Sequence, residues 1–186
     1  EGYRAENLVP RPDLVVVGNV IRKENPEARA AIDSGIPYTS MPGCIEELFL
    51  KTRPAFVACG THGKTTTSTL LAYLLHATGK SPGFLVGGVP QDFGESFRVG
   101  SLGAPFVLEG DEYDSAFFEK QPKFFRYKPR FVILTSIEHD HVDIYPTIME
   151  AATNRSKGFR RETKWKRWIL LPGLGFRGNV TRPTVR

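Results

Sequence analysis

Short apolar runs alternate with helix-like segments along most of this 186-residue chain. The apolar runs lie at residues 14–17, 36–40, 55–59, 84–89, 105–108 and 131–135, and each is short enough to be a buried strand. Helix-like patterns occupy residues 25–33, 42–49 and 68–75. Because strands and helices alternate, the sequence predicts an α/β fold with a largely parallel sheet.

The first predicted helix carries signals at both ends. Asn25 is suited to cap the N-terminus, Pro26 is compatible with the first turn, and the negative charge of Glu27 is favourable there. Gly35 follows the last helical residues and predicts the end of this helix.

A glycine-containing loop joins the predicted strand 55–59 to the predicted helix 68–75. It reads Gly60-Thr61-His62-Gly63-Lys64-Thr65-Thr66-Thr67. In loops of this kind, backbone N–H groups and the positive end of the helix bind phosphate, and a lysine adds a full charge. We therefore expect residues 60–66 to bind the phosphates of a nucleotide. The hydroxyl of Thr65 is placed to bind Mg²⁺.

The loop departs from the common P-loop pattern at one position. That pattern has a glycine five positions before its second glycine, where this chain has Ala58. The loop is therefore a shorter variant. The alternative interpretation is a glycine-rich turn with a solvated Lys64, but the strand and the helix on either side favour phosphate binding.

Two further polar clusters follow predicted strands. They are Glu109-Gly110-Asp111-Glu112-Tyr113-Asp114 and Ser136-Ile137-Glu138-His139-Asp140-His141-Val142-Asp143. The carboxyl ends of parallel strands meet at one edge of a sheet, where ligands bind. Carboxylate and hydroxyl oxygens suit a hard cation, so we expect Glu109 and Thr65 to hold Mg²⁺ beside the terminal phosphates. The alternative for the first cluster is a solvated turn.

The histidines of the second cluster leave two metal interpretations open. His141 lies beside Asp140 beyond a strand end, which favours a contact with Mg²⁺ or phosphate. Together with Asp140 and Asp143, the pair His139 and His141 could instead hold zinc, although no third soft ligand is evident.

Composition and charge narrow the functional classes. The net charge is +5, but residues 154–186 contain ten Lys or Arg and a single acid, so the rest of the chain is mildly acidic. We therefore expect no nucleic-acid partner. No apolar run approaches the length of a membrane span, so we expect no membrane partner either. Cys44 and Cys59 show no metal-type spacing, which favours a reduced, cytoplasmic setting.

Taken together, the motifs resemble those of the Mur ligase family, the ATP-dependent amide-forming enzymes of bacterial cell-wall synthesis. Residues 60–67 resemble the ATP loop of that family, and residues 137–143 resemble its later Glu-x-Asp-His motif. Within the family, the chain is most similar to ligases that attach a recovered tripeptide to UDP-N-acetylmuramate. The segments that carry this similarity are residues 18–21, 25–27, 84–89 and 109–118, and the resemblance covers residues 1–150.

The resemblance implies an ATP- and Mg²⁺-dependent ligase of peptidoglycan recycling. ATP would phosphorylate the lactoyl carboxylate of UDP-N-acetylmuramate, and the α-amine of the murein tripeptide would then form the amide. Lys64 would neutralise charge on the transferring phosphoryl group, while Thr65, Glu109 and His141 would hold Mg²⁺. Weaker candidates for binding the acceptor substrate are Ser96, Arg98 and Asp111.

The resemblance also predicts how the chain is divided. Residues 1–52 would be the carboxy-terminal part of a Rossmann-like, UDP-sugar-binding N-terminal domain. Residues 53–153 would be part of an incomplete P-loop-type central domain with a parallel sheet, which binds ATP. Residues 154–186 match no segment of the family, and we expect a disordered or aberrant basic tail. The family's uridine diphosphate turn has no counterpart, so we expect the chain to be a fragment.

Three other functions remain open from the sequence. One is the UDP-N-acetylmuramate–alanine ligase of the same family. Another is a different P-loop NTPase, such as a kinase or a GTPase, although this leaves the acidic and Asp-His clusters without a role. The third is an inactive fragment that binds nucleotide without catalysis, and we expect the parent protein to be the ligase and this chain alone to be inactive.

Overall fold

The structure, a computed structural model, describes residues 2–111 and 113–135 and the backbone of residues 168–170. After a 3₁₀ turn at Ala5–Leu8, the helices are α1 (Pro26–Asp33), α2 (Met41–Ile45), α3 (Lys64–Ala77) and α4 (Lys123–Arg126). The strands are β1 (Val15–Val17), β2 (Tyr38–Ser40), β3 (Ala55–Cys59), β4 (Gly83–Leu85), β5 (Phe97–Arg98), β6 (Phe106–Gly110), β7 (Asp114–Ala116), β8 (Glu119–Pro122), β9 (Phe131–Leu134) and β10 (Trp168–Leu170). The predicted α/β class is confirmed.

The first elements form a small parallel unit in which β1 pairs with β2. The predicted cap of α1 is confirmed, because the Asn25 side chain accepts hydrogen bonds from the backbone N–H groups of Glu27 and Ala28. Ser40 caps α2 in the same way, through the N–H of Gly43. The helix then continues as a π-helical turn over Glu46–Leu50.

The central sheet has the strand order β10-β9-β3-β6-β4-β5. Every neighbouring pair is parallel except β4 and β5, which are antiparallel. Apolar side chains cover both faces of this sheet. One face packs with α2 and α4 through Val57, Leu108 and Phe124, and the other packs with α3 through Val107 and Ala72. Burial on both faces explains why these strands are almost continuously apolar.

Three details differ from the prediction. The strand expected at 105–108 runs on through Gly110, so Glu109 lies within β6, opposite Ala58 of β3, and not beyond the strand end. Residues 114–122 form the antiparallel pair β7 and β8, for which no strand is predicted. The backbone of β10 pairs in parallel with β9, within the segment for which the sequence predicts no element.

Within the part of the chain that the structure describes, none of the helices combines the length and the apolar character needed to cross a bilayer.

Candidate phosphate and metal site

The loop after β3 turns sharply to place the first residue of α3 at the carboxyl edge of the sheet. Gly60 and Gly63 have φ angles of 136° and 77°, in the region that side chains disfavour. Gly63 is the residue immediately before α3, and Lys64 is the first residue of that helix. The glycines therefore bring the positive end of a 14-residue helix to this edge, where an anion is stabilised.

The Lys64 side chain folds back across the loop. Its Nζ donates hydrogen bonds to the backbone oxygens of Gly60 at 2.8 Å and Thr61 at 3.3 Å. The ammonium group thus lies inside the curve of the loop. A phosphate bound there would meet this charge directly, which is the position expected for a phosphate-binding lysine.

Thr135, at the end of β9, forms hydrogen bonds with the backbone of the loop. Its backbone N–H donates to the oxygen of Cys59 at 2.9 Å, and its hydroxyl lies within hydrogen-bond distance of the backbone oxygens of Cys59 and His62. Thr135 is buried, whereas His62 is exposed on the loop. Thr135 has no role in the sequence-based prediction, because a threonine at the end of a strand carries no local signal of function.

The carboxylate of Glu109 meets the start of α3. Its Oε2 accepts a hydrogen bond from the hydroxyl of Thr65 at 3.1 Å. These two residues are 44 positions apart in sequence, and the structure brings them together from β6 and α3. The other carboxylate oxygen, Oε1, accepts from the backbone N–H of Gly87 at 2.5 Å and lies 3.4 Å from the hydroxyl of Ser68.

The donor set at Thr65 and Glu109 fits a hard divalent cation. Both groups offer oxygen, they lie in contact, and the loop that is expected to bind phosphate begins a few residues away. Within residues 2–111 and 113–135, no group of three or more His, Cys, Asp and Glu side chains is placed to hold a metal ion. His139 and His141 lie outside the described residues, so both the Mg²⁺ and the zinc interpretations of these histidines stay predictions.

A cavity of about 230 Å³ lies beside Glu109, between the first elements and the central sheet. Asp111 lines it and forms an ion pair with Lys123 at 3.0 Å, in which both side chains are more than half buried. Its other polar lining residues include Asn19 and Ser115. The cavity therefore offers polar side chains of both charges to a ligand next to the candidate metal site.

Tyr127 forms part of the wall of this cavity. Burial raises the pKa of its hydroxyl well above the usual value, and the charges of Asp111, Cys59 and Glu109 add to the effect. A tyrosine is protonated at neutral pH even at its ordinary pKa, and the raised pKa extends this to alkaline solution, so the Tyr127 hydroxyl can act as a hydrogen-bond donor in this wall.

Ser96 and Arg98, which were expected to bind the acceptor, contact the β4–β5 region. The backbone oxygen of Ser96 accepts from the N–H of Val86 at 2.9 Å. The Arg98 side chain bonds Glu95 at 2.6 Å and stacks over the ring of Phe93 at 4.8 Å. Their assignment to the acceptor stays a prediction, as does that of Asp111.

This chain is similar in sequence to known proteins. The sequence model of the Mur ligase middle domain matches residues 59–170. The UDP-N-acetylmuramate–L-alanyl-γ-D-glutamyl-meso-2,6-diaminoheptandioate ligase of Escherichia coli (strain K12) is 44% identical over 145 residues, which are 78% of this chain and 32% of that protein. The UDP-N-acetylmuramate–L-alanine ligase of Roseiflexus sp. (strain RS-1) is 40% identical over 73% of this chain and 27% of its own length.

A solved structure agrees with the sequence comparison. The crystal structure of UDP-N-acetylmuramate:L-alanyl-γ-D-glutamyl-meso-diaminopimelate ligase from Neisseria meningitides superposes with a TM-score of 0.78 at 40% identity, over 83% of this chain and 51% of that one. The chain spans about a third of the length of the curated relatives that it matches. Because the middle-domain match covers more than half of its residues, this chain belongs to the Mur ligase family.

Proposed function

We propose that this chain provides the nucleotide-phosphate site of a ligase that joins L-alanyl-γ-D-glutamyl-meso-diaminopimelate to UDP-N-acetylmuramate in peptidoglycan recycling. The relative from Escherichia coli carries this activity in its name. The observation that carries the proposal is the contact between Thr65 and Glu109 at the mouth of a loop that holds Lys64.

The residues of the loop would bind and orient ATP. The N–H groups of residues 60–66 and the N-terminus of α3 would hold its phosphates, and Lys64 would compensate their charge. Thr65 and Glu109 would hold Mg²⁺, with His141 as a third ligand. ATP supplies the phosphoryl group, and Mg²⁺ screens the negative charge of its terminal phosphates.

The reaction would proceed in two displacements. An oxygen of the muramate carboxylate attacks the γ-phosphorus, and ADP leaves with the electrons of the broken bond. The uncharged α-amine of the tripeptide then attacks the acyl carbon, phosphate leaves, and the nitrogen loses a proton. The cavity beside Glu109 supports this scheme, because Lys123 and Asp111 would bind a polar acceptor within reach of the phosphates.

The same proposal extends to the organisation and location of the protein. Residues 1–52 would belong to the domain that binds the UDP-sugar, and residues 53–153 to the ATP-binding domain. We expect the ligase to act in the cytoplasm, and we expect neither nucleic acid nor membrane as a partner.

Nucleotide binding and acceptor-dependent phosphate release test the proposal. The purified chain is titrated with a fluorescent ATP analogue with and without Mg²⁺. Phosphate release from ATP is then measured alone, with UDP-N-acetylmuramate, and with UDP-N-acetylmuramate plus either the tripeptide or L-alanine. We expect Mg²⁺-dependent binding, and any phosphate release should require both the muramate and the tripeptide.

Each other outcome selects a different function. Release that ignores both acceptors would identify another P-loop NTPase. Release with L-alanine in place of the tripeptide would identify the alanine ligase, which the 40% identity to such a ligase keeps as the second candidate. Nucleotide binding without release would identify a binding fragment, and no binding at all would reject the phosphate site itself.

A further inference from the structure

The two oxygens of the Glu109 carboxylate have different surroundings. Oε1 accepts from the backbone N–H of Gly87 at 2.5 Å and lies 3.4 Å from the hydroxyl of Ser68. Oε2 faces the hydroxyl of Thr65 at 3.1 Å. One oxygen is therefore held by the protein scaffold, and the other lies beside the side chain that is expected to share a metal ion with it.

The position of Gly87 is set by the central sheet. In the register of β4 and β6, Leu85 lies opposite Leu108, which directly precedes Glu109. Val86 is buried, and its N–H donates to the backbone oxygen of Ser96 at 2.9 Å. The chain thus leaves β4 from an anchored residue and passes over the carboxylate, so the N–H of Gly87 is a fixed donor.

Only glycine fits this close approach without a shift. A Cβ atom on Gly87 would lie 3.2 Å from Oε2 and 3.4 Å from Oε1 of Glu109, which is tighter than ordinary van der Waals contact. On the neighbouring Gly88 a Cβ atom would lie 3.6 Å from Cγ2 of Thr65, an ordinary contact. The backbone of Gly87 can therefore approach the Glu109 carboxylate this closely because it carries no side chain.

Ser68 approaches the same oxygen from α3. It is fully buried and lies one helical turn after Thr65, to whose backbone oxygen its hydroxyl donates at 3.0 Å. A hydroxyl carries a single hydrogen, so Ser68 is the weaker of the two partners of Oε1 and Gly87 is the firm one.

We propose that Gly87 and Ser68 are positioning residues that fix Oε1 of Glu109 and thereby present Oε2, beside Thr65, to the Mg²⁺ that accompanies the nucleotide. This inference rests on the proposed function for the identity of the metal ion. Groups that hydrogen-bond a metal-ligating carboxylate orient it, and their loss typically lowers metal affinity by about 10- to 100-fold.

The test measures Mg²⁺ dependence separately from nucleotide binding. The whole chain and its Ser68→Ala and Gly87→Ala variants are titrated with Mg²⁺ in the presence of a fluorescent ATP analogue, and the analogue is also titrated without metal. Both substitutions should raise the Mg²⁺ concentration at half-effect. For Ser68→Ala the rise should be about tenfold, because the hydroxyl beside Oε1 is lost. For Gly87→Ala the backbone N–H remains, and the rise should come from the added methyl group, which would push the carboxylate out of place. Binding of the analogue without metal should change by less than about twofold, because the loop that holds the phosphates is untouched.

Gly88→Ala is the matched control, since it adds the same methyl group one residue along and in ordinary contact. It should leave the Mg²⁺ dependence within about twofold of that of the unmodified chain. A loss of binding that is equal with and without Mg²⁺ would show a merely structural role and overturn the inference. An unchanged Mg²⁺ dependence in both variants would also overturn it. If thermal unfolding shows that Gly87→Ala does not fold, the Mg²⁺ dependence of Ser68→Ala alone supports or overturns the inference.

Failure of the proposed function has a different signature. If the unmodified chain does not bind the ATP analogue, the proposed function fails, and binding of Mn²⁺ in place of Mg²⁺ is measured by the electron paramagnetic resonance of the free ion. Weaker Mn²⁺ binding in Ser68→Ala than in Gly88→Ala would then support the positioning role by itself. Equal Mn²⁺ binding, or none in the unmodified chain, would overturn it.

Discussion

The ammonium group of Lys64 illustrates how a single side chain prepares a phosphate site. It donates to the backbone oxygens of Gly60 and Thr61 at the curve of the loop. A phosphate oxygen is a stronger partner than a neutral carbonyl oxygen, because its negative charge adds Coulomb attraction to the hydrogen bond from the ammonium group. A bound phosphate would therefore replace these backbone oxygens as the hydrogen-bond partner of the Lys64 ammonium group.

We expect Lys64→Ala to weaken binding of the Mg²⁺–nucleotide by about 10- to 100-fold, which corresponds to the loss of one hydrogen bond between charged groups. Titration of the fluorescent ATP analogue measures the change. Lys80→Ala is the control, because Lys80 is an exposed lysine just beyond the other end of α3. Equal affinities of Lys64→Ala and the unmodified chain would contradict the role assigned to the loop.

The contact between Thr65 and Glu109 could be predicted from the sequence. The two residues lie near the carboxyl ends of two predicted strands, and the carboxyl ends of parallel strands meet at one edge of a sheet. The roles of Gly87, Ser68 and Thr135 could not be predicted in this way. A backbone N–H, a buried hydroxyl and a strand-end threonine carry no local signal of function. The register of β4, β6 and β9 shows what Gly87 and Thr135 face, and the packing of α3 against β6 shows what Ser68 faces.

At the scale of elements, Gly110 shows how closely β6 packs against its neighbours. It lies opposite Cys59 in the parallel pair of β6 and β3. A Cβ atom on Gly110 would lie 2.3 Å from Sγ of Cys59, 2.7 Å from Cγ1 of Val57 and 3.2 Å from Cβ of Phe124. All three atoms belong to buried residues, so none can move into solvent.

We expect Gly110→Ala to destabilise the fold by about 1–3 kcal/mol through overpacking. Urea unfolding measures this loss. Because Sγ of Cys59 is the nearest obstacle, Cys59→Ala in the same chain should recover part of the stability, so the two substitutions should couple favourably by at least about 0.5 kcal/mol. Strictly additive effects of the two substitutions would contradict this packing argument. Gly18→Ala, whose Cβ would meet nothing within 4 Å, is the control.

The elements differ in how far the sequence predicts them. The cap of α1 and the strands β3 and β9 follow from local signals, namely Asn25 and two uninterrupted apolar runs. The pair β7 and β8 gives no such signal, because Asp114–Ala116 and Glu119–Pro122 are short and mostly polar. These strands are defined by tertiary contacts, which override weak local preferences.

At the scale of the whole molecule, an ion-pair network joins the first elements to the central part. The Glu119 carboxylate, only 8% exposed, accepts hydrogen bonds from the Ser40 hydroxyl at 2.5 Å and from Arg126. Arg126 also contacts Glu46 at 3.1 Å. Since Ser40 and Glu46 precede β3 while Glu119 and Arg126 follow β6, the network fixes the two parts of the chain to each other.

The same network sets the ionisation of Glu119. Burial by itself would raise the pKa of this carboxyl, but hydrogen bonds from Ser40, Gln121 and Arg126, together with the charge of Arg126, outweigh it and hold the pKa below its ordinary value. A carboxyl whose pKa is lowered by folding stabilises the fold above its unfolded pKa. That contribution is lost as the pH falls through the lower, folded pKa.

We therefore expect Glu119→Gln to destabilise the chain by about 1–2 kcal/mol at pH 7, because the charge is lost and an amide N–H group faces hydrogen-bond donors. The deficit should shrink when the pH is lowered to about 3, below the ordinary carboxyl pKa, because Glu119 is then protonated in the unfolded chain and its contribution to stability is decreasing. Urea unfolding at both pH values measures the difference. Glu47→Gln, which removes the carboxylate of an exposed pair with Lys51, should cost less than about 0.5 kcal/mol. A deficit for Glu119→Gln that is the same at both pH values would show that its charge does not hold the two parts together.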